Sequence, residues 1–259
     1  MGLQKDLETL SKNVHGRVSY IVASADGALD LRRGEKDRFP SASIIKLPIL
    51  WSVFSKAAKG ELALTEEMPL RAGDIVDGYG VLKGMHVGIG TTIEDLCFLM
   101  TVTSDNVATN MLIDKLGFAA INADIAACGM PDTVLGRKML DAEARAQGRD
   151  NFTTPLDVLT FLKMLRHGGT MPENSRARML AIMHNQCCNN FIPQYMPEGF
   201  RFAHKTGDIQ GTVHDAGILY GPSGREYYVI VLCSDLADNL NGVKFLNDFG
   251  SVLFAQLKN

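Results

Sequence analysis

Residues 201–233 read RFAHKTGDIQGTVHDAGILYGPSGREYYVIVLC, and this stretch decides the fold. Strand-like runs cover Arg201 to Thr206, Thr212 to Tyr220 and Glu226 to Cys233, the last two joined across the turn-forming Gly221-Pro222-Ser223-Gly224. Runs so connected predict an antiparallel meander. After them, Phe245 or Leu246, then Phe249, Leu253 and Leu257 share one stripe of a helix that would cover the sheet. At the other end of the chain an amphipathic helix (Leu3, Leu7, Leu10) leads into Val18 to Ala23 and Leu29 to Arg32, turned through Ala25-Asp26-Gly27. Both chain ends therefore feed one antiparallel sheet of about five strands, flanked by the N- and C-terminal helices.

Between these ends, from Ser43 to about Met196, the pattern is almost wholly helical. Thr91 or Thr92 caps a helix with Glu94 and Asp95 in its first turn, and Gly117 closes the helix of Met111, Leu112 and Leu116. Thr154-Pro155 starts another helix, with Leu156, Leu159, Leu162 and Leu165 as its core face and Gly168-Gly169 as its stop. The expected fold class is α+β, an α/β sandwich with a large all-helical insertion. It would form one catalytic domain over 1–259, with a sheet part about 1–42 and 198–259 and a helical part about 43–197.

With 259 residues, 46% hydrophobic and 21% charged, the chain has the composition of an ordinary folded domain. A net charge of −3 without a run of like charges gives a phosphate backbone nothing to grip, so nucleic acid is not an expected partner. No apolar stretch has the length of a membrane span; the strongest, Tyr227 to Cys233, is strand-length. The first residues have neither the basic start nor the apolar stretch of a signal peptide, so a cytoplasmic chain is expected, or an exported one whose leader is absent from this sequence. Cys97, Cys128, Cys187, Cys188 and Cys233 show no C-x-x-C spacing and are expected as reduced thiols rather than a disulfide framework or zinc site, with a Cys187–Cys188 bridge as the alternative. Glycines 84, 88 and 90 match neither dinucleotide nor P-loop spacing.

Three short segments carry chemistry. Ser43-Ile44-Ile45-Lys46 begins a helix, and a spacing of three puts the lysine amine on the serine's face, close enough to take its proton if neutral. Ser104-Asp105-Asn106 lies between two helices, where its hydroxyl and amide can face the first serine across a cleft; the same residues also suit an N-cap. Lys205-Thr206-Gly207 ends a strand and offers a cation and a hydroxyl to a substrate carboxylate, with a glycine permitting close approach; a polar strand end is the plainer reading.

In this order, with serines 61 residues apart and Lys205 a further 101 along, the segments resemble the signature of class A β-lactamases and penicillin-binding proteins. The resemblance spans nearly the whole chain. It implies that Ser43 is acylated and that Lys46 helps deprotonate it. Ser104 would relay a proton to the leaving nitrogen, and Asn106 would bind the substrate's side-chain amide. Lys205 and Thr206 would hold its carboxylate, and Tyr79 would form an aromatic wall. The backbone N–H groups of Ser43 and Asp208 would make the oxyanion hole. Cys97 matches half of a disulfide of some members, but the partner position is Leu50.

One part of the signature is missing. Class A enzymes need a loop glutamate to activate the water that hydrolyses the acyl-enzyme, and Glu-x-x-Leu-Asn does not occur in residues 136–155. Counting back from Pro155 puts Lys138 at that position. A loop a few residues shorter brings Asp141 there, and Glu143 is a further candidate; each carboxylate also suits a solvated charge or an ion pair with Arg137. His214 stands near the place of an accessory arginine, as a weak substitute or as ordinary packing, and His204 is expected to be structural.

The resemblance thus implies a serine hydrolase opening β-lactams through an acyl-enzyme, without metal or cofactor. The alternatives are a D-Ala-D-Ala peptidase, an amidase or an esterase, or a non-catalytic penicillin-binding sensor. The expected partner is a small molecule, a β-lactam or acyl-D-Ala-type amide, and a monomer is expected.

Overall fold

The computed structural model describes residues 2–168 and 171–258. The chain opens with α1 (Gly2–Lys12), β1 (Arg17–Ser24), β2 (Asp30–Arg33) and the two-residue β3 (Phe39–Pro40). A 3-10 turn, Ala42–Ile45, leads into α2 (Lys46–Ala58). Then come β4 (Glu67–Pro69), β5 (Gly90–Thr92), α3 (Ile93–Val102), α4 (Asn106–Leu116), α5 (Phe118–Ala127) and the short α6 (Ala142–Ala146). After β6 (Phe152–Thr153), α7 (Pro155–His167) and α8 (Glu173–His184), the chain returns through β7 (Arg201–Ile209), β8 (Thr212–Tyr220) and β9 (Glu226–Ser234) to α9 (Asn239–Gln256).

The five-stranded sheet has the order β2-β1-β9-β8-β7 and every pair in it is antiparallel, as both chain ends lead one to expect. Its faces follow the period of two. Tyr20, Val22, Val229 and Val231 pack with Leu7, Phe249 and Leu253 beneath α1 and α9. Ile21, Ala23, Ile230 and Leu232 join the core of the helical layer on the other face. Tyr20 and Phe249 meet edge to face, with ring centroids 5.4 Å apart.

At the heart of the helical layer, every residue of α2 from Lys46 to Phe54 is buried, so this helix is covered all round. Thr92 and Thr154 cap α3 and α7 through the N–H groups of Asp95 and Asp157, and Gly117 ends α4 at φ +81°. The expected stop of α7 falls partly on Gly169, outside the described residues; the helix ends at His167 before Gly168.

The stretch expected to be purely helical also holds β4, β5 and β6. Phe152 and Thr153 pair with Pro40 and Phe39, and this two-residue ladder anchors the chain just before Ser43. Strands this short carry too little periodicity to show in sequence.

Candidate active site

Ser43 lies in the 3-10 turn rather than on the helix that follows. Asn151 O accepts from the Ser41 N–H at 2.8 Å, and Pro40 O accepts from His214 Nε2–H at 2.7 Å. Both bonds tie the approach to Ser43 to neighbouring elements. His214 Nδ1 in turn accepts from the Cys233 N–H at 3.1 Å, and burial lowers its pKa to about 4. A neutral ring committed at both nitrogens is a strut, so the reading of His214 as a substitute cation is corrected. Ala42, next to the serine, has φ +44°. A Cβ on Gly207 would stand 3.1 Å from Ala42 Cβ, so the bare glycine lets β7 run against this turn.

The Ser43 side chain is 9% exposed and, among the described residues, makes no side-chain hydrogen bond. Lys46 does not reach back to it. Its Nζ lies 2.7 Å from Ser104 O, 3.0 Å from Ser104 Oγ and 3.0 Å from Asn106 Oδ1. The hydrogen bonds of the amine go instead to acceptors distant in sequence. From the sheet, Lys205 Nζ donates to the same Ser104 Oγ at 3.1 Å and to Thr206 O at 2.9 Å.

Two fully buried amines thus converge on one hydroxyl, with no carboxylate bonded to either among the described residues. Burial, then the charge of Lys205, pushes Lys46 well below the usual lysine range, while burial lowers Lys205 to about 8. The shared cause is desolvation, which disfavours the charged form of both amines, and each charge also disfavours the other. Lys46 donates to Ser104 O, Ser104 Oγ and Asn106 Oδ1, and the same Ser104 Oγ accepts from Lys205.

Ser104 adopts φ +54° and Asp105 caps α4 through the Ala108 N–H at 3.0 Å. The buried Asp105 also accepts from the N–H groups of Val81 and Leu82 at 2.7 and 2.8 Å, clamping the loop that carries Tyr79. The capping and the site readings of this segment therefore hold together. Gly80, at φ +111°, makes the clamp possible, because a Cβ there would lie 2.3 Å from the Asp105 carboxyl. Asp105→Ala would strand three N–H groups and is expected to lower stability by about 3 kcal/mol in urea unfolding; a loss below about 1 kcal/mol would contradict the clamp.

β7 is an edge strand. Ile209 and Thr212 close a two-residue turn, so Thr206 and Asp208, alternating with the paired residues, direct their backbone groups to the open edge. Asp208 also crosses the cleft: Tyr79 OH donates to its Oδ2 at 2.7 Å, and Asn239 Nδ2 holds its Oδ1 at 2.8 Å. Tyr79 is 46% exposed. A cavity of about 370 Å³ is lined by Ser43, Tyr79, Asn106, Leu140, Asp141 and Asp208 among others. A second, of about 90 Å³, is lined by Ser43, Tyr79, Ser104, Cys188, Thr206 and Asp208 with Asn190 and Phe191. Ser43, Tyr79 and Asp208 border both, and Tyr79 and Asp208 are hydrogen-bonded to each other.

The family model described as "Beta-lactamase enzyme family" matches residues 2–257. The chain belongs to the beta-lactamase enzyme family. Among solved structures, this family member is similar to the beta-lactamase of Sphaerobacter thermophilus DSM 20745, at 34% identity and a TM-score of 0.88, over 98% of this chain and 96% of that one. It is also similar to PBP-A, at 28% identity and a TM-score of 0.89, over 98% of this chain and 95% of that one; a point mutant of PBP-A is described as an acyl-enzyme complex with penicillin-G. An ancestral (GNCA) class A beta-lactamase matches at 25% identity and a TM-score of 0.89, over 98% and 99% of the two chains.

The beta-lactamase-family loop from 136 to 151, where a base was sought, is built from contacts distant in sequence. Arg137 pairs with Asp150 at 2.7 Å, not with Asp141 or Glu143. Asn151 Oδ1 accepts from the N–H groups of Gly136 and Arg137, and Asn110 holds both backbone groups of Met139. Lys138 leaves the cavity for Asp114, at 2.7 Å. Leu140, 52% exposed at φ +62°, and Asp141 face the larger cavity. Asp141 Oδ1 caps α6 through the Ala144 N–H at 2.9 Å, leaving its second oxygen without a partner among the described residues.

Glu143 is not brought to the cleft. It is exposed on α6, where Gln147 Nε2 donates to it at 3.3 Å, and its candidacy as a base is corrected accordingly. Sequence reasoning missed Asp105 as a clamp, Asn110, Asp150 and Asn151 as loop anchors, and Cys188 in the cleft. The clamp and the loop anchors bond to groups 13 to 29 residues away, which no local pattern shows, and the cavity that Cys188 lines is assembled from residues far apart in sequence.

Proposed function

We propose that this protein is a serine hydrolase that opens β-lactams through a covalent acyl-enzyme on Ser43. One observation carries the reading: Ser43, nearly buried and without a side-chain hydrogen bond among the described residues, borders the cavities beside Ser104, whose hydroxyl accepts from two buried lysines. Ser43 attacks the lactam carbonyl, Lys46 takes its proton, and Ser104 passes a proton to the leaving nitrogen. The bond between Lys46 and Ser43 forms only once substrate reorganises the network. Lys205 and Thr206 receive the substrate carboxylate, Asn106 its side-chain amide, and the N–H groups of Ser43 and Asp208 the oxyanion. Gly207 gives this edge its close approach and Tyr79 flanks the entrance.

Deacylation needs a base for water, and Asp141 is the loop carboxylate bordering the Ser43 cavity. A second reading is favoured by the capping bond that occupies half of that carboxylate: acylation proceeds, hydrolysis is slow, and the protein works as a penicillin-binding peptidase, esterase or sensor. Nitrocefin absorbance followed alongside intact mass separates the two. Sustained turnover supports hydrolysis, a single-equivalent burst with a stable adduct supports the second reading, and neither turnover nor adduct overturns both. Asp141→Asn is expected to trap the acyl-enzyme and cut turnover by about a hundredfold or more while the adduct still forms; unchanged turnover would acquit Asp141.

A further inference from the structure

Cys188 stands in the smaller cavity with Ser43, Ser104 and Thr206, a nucleophilic sulfur for which the acylation chemistry has no use. It is partly exposed, whereas Cys97, Cys128 and Cys233 are buried and Cys187 lies on the surface. Its loop is fastened in place. The Cys187 N–H donates to Val102 O at 3.1 Å, the Cys188 N–H to Gln186 Oε1 at 2.9 Å, and buried Gln186 donates through Nε2 to Thr101 O at 2.9 Å. Next along, Asn189 Oδ1 accepts from His204 Nε2 at 3.1 Å.

The sulfur makes no hydrogen bond among the described residues, and Cys188 shares its cavity with Ser104, the hydroxyl on which the Lys46 and Lys205 amines converge. A partly exposed thiol in a cleft that also holds lysine amines is the setting in which cysteines react. A second observation points into the same space: Ser43, a residue 9% exposed whose side chain has no hydrogen-bond partner among the described residues, borders this cavity too, so whatever occupies it meets the nucleophile.

Resting on the acylation reading of Ser43, we propose that Cys188 is a thiolation site through which a small disulfide closes the cavity beside Ser43 and stops acylation. The Cys188 thiolate attacks one sulfur of RS–SR, the protein–S–S–R bond forms as the RS–SR bond breaks, and RS⁻ leaves to take up the proton that Cys188 released. No other oxidant is needed, and a free thiol reverses the step. The cavity admits a substituent of a few heavy atoms, such as the cysteamine half of cystamine.

The test incubates the protein with cystamine and reads intact mass, the modified peptide and the rate of fluorescent-penicillin labelling. One cysteamine per chain on Cys188 is expected, with labelling slowed about a hundredfold and restored by dithiothreitol. Cys187→Ala should remain sensitive to cystamine, and Cys188→Ser should label at its own rate whether or not cystamine was added. An adduct on Cys187, a Cys187–Cys188 disulfide without cysteamine, or unchanged labelling of fully modified protein would overturn the proposal. Mapping on Ser43→Ala, which needs no acylation, keeps the thiol site separable from the Ser43 reading: absent penicillin labelling in untreated protein counts against that reading, and an unmodified Cys188 in the variant counts against the site.

Discussion

Ser43→Ala is expected to remove every covalent penicillin adduct, the largest single effect in this protein. Ser104 is the other hydroxyl at the centre of the cleft, but it holds two lysine bonds and adopts a left-handed backbone, so it cannot replace Ser43 without abandoning both amines. The measurement is intact mass after incubation with a penicillin, with circular dichroism as the control for folding. Ser43 is an unpartnered side chain in a short turn, so its removal leaves no orphaned buried group and the fold should survive. A persistent adduct in the folded variant would remove Ser43 from its role.

Lys46→Met ranks second. It keeps the length and most of the volume of the side chain but deletes the base, and acylation should slow by about a thousandfold. The pH profile distinguishes this from simple disruption. In the unmodified protein, raising the pH through the depressed titration of Lys46 increases the neutral amine and hence the rate. Raising it through about 8 discharges Lys205 and weakens the hold on a substrate carboxylate. The expected profile is a bell; in Lys46→Met the rising limb disappears and the alkaline fall remains. A variant that keeps the acid limb would assign the base elsewhere.

The sheet was legible because its strands are long, alternate cleanly and meet at turn residues. The caps at Thr92 and Thr154 and the stop at Gly117 were legible because their chemistry is local. What could not be read was the wiring between distant residues. The spacing of Ser43 and Lys46 puts the amine on the serine's face but does not show that its hydrogen bonds go to Ser104 and Asn106, 58 and 60 residues away. Arg137 looked equally able to pair with Asp141 or Glu143, but burial with Asp150 decides its partner. Asp141 and Glu143 are two residues apart and chemically alike; the start of α6 turns one toward the cavity and the other to water, and that boundary has no strong signal in so short a helix.

Ala42, Ser104 and Leu140 are three of the four non-glycine residues with positive φ among the described residues, and all three ring the cleft. Such conformations cost roughly 1–3 kcal/mol each and persist only where the surroundings impose them. Thermal hardening and reactivity are therefore set against each other at the same positions. A selection for heat resistance alone should drift toward glycine or asparagine there, relaxing the backbone that aims Ser43, Ser104 and the loop, and so yield proteins that melt later and react more slowly.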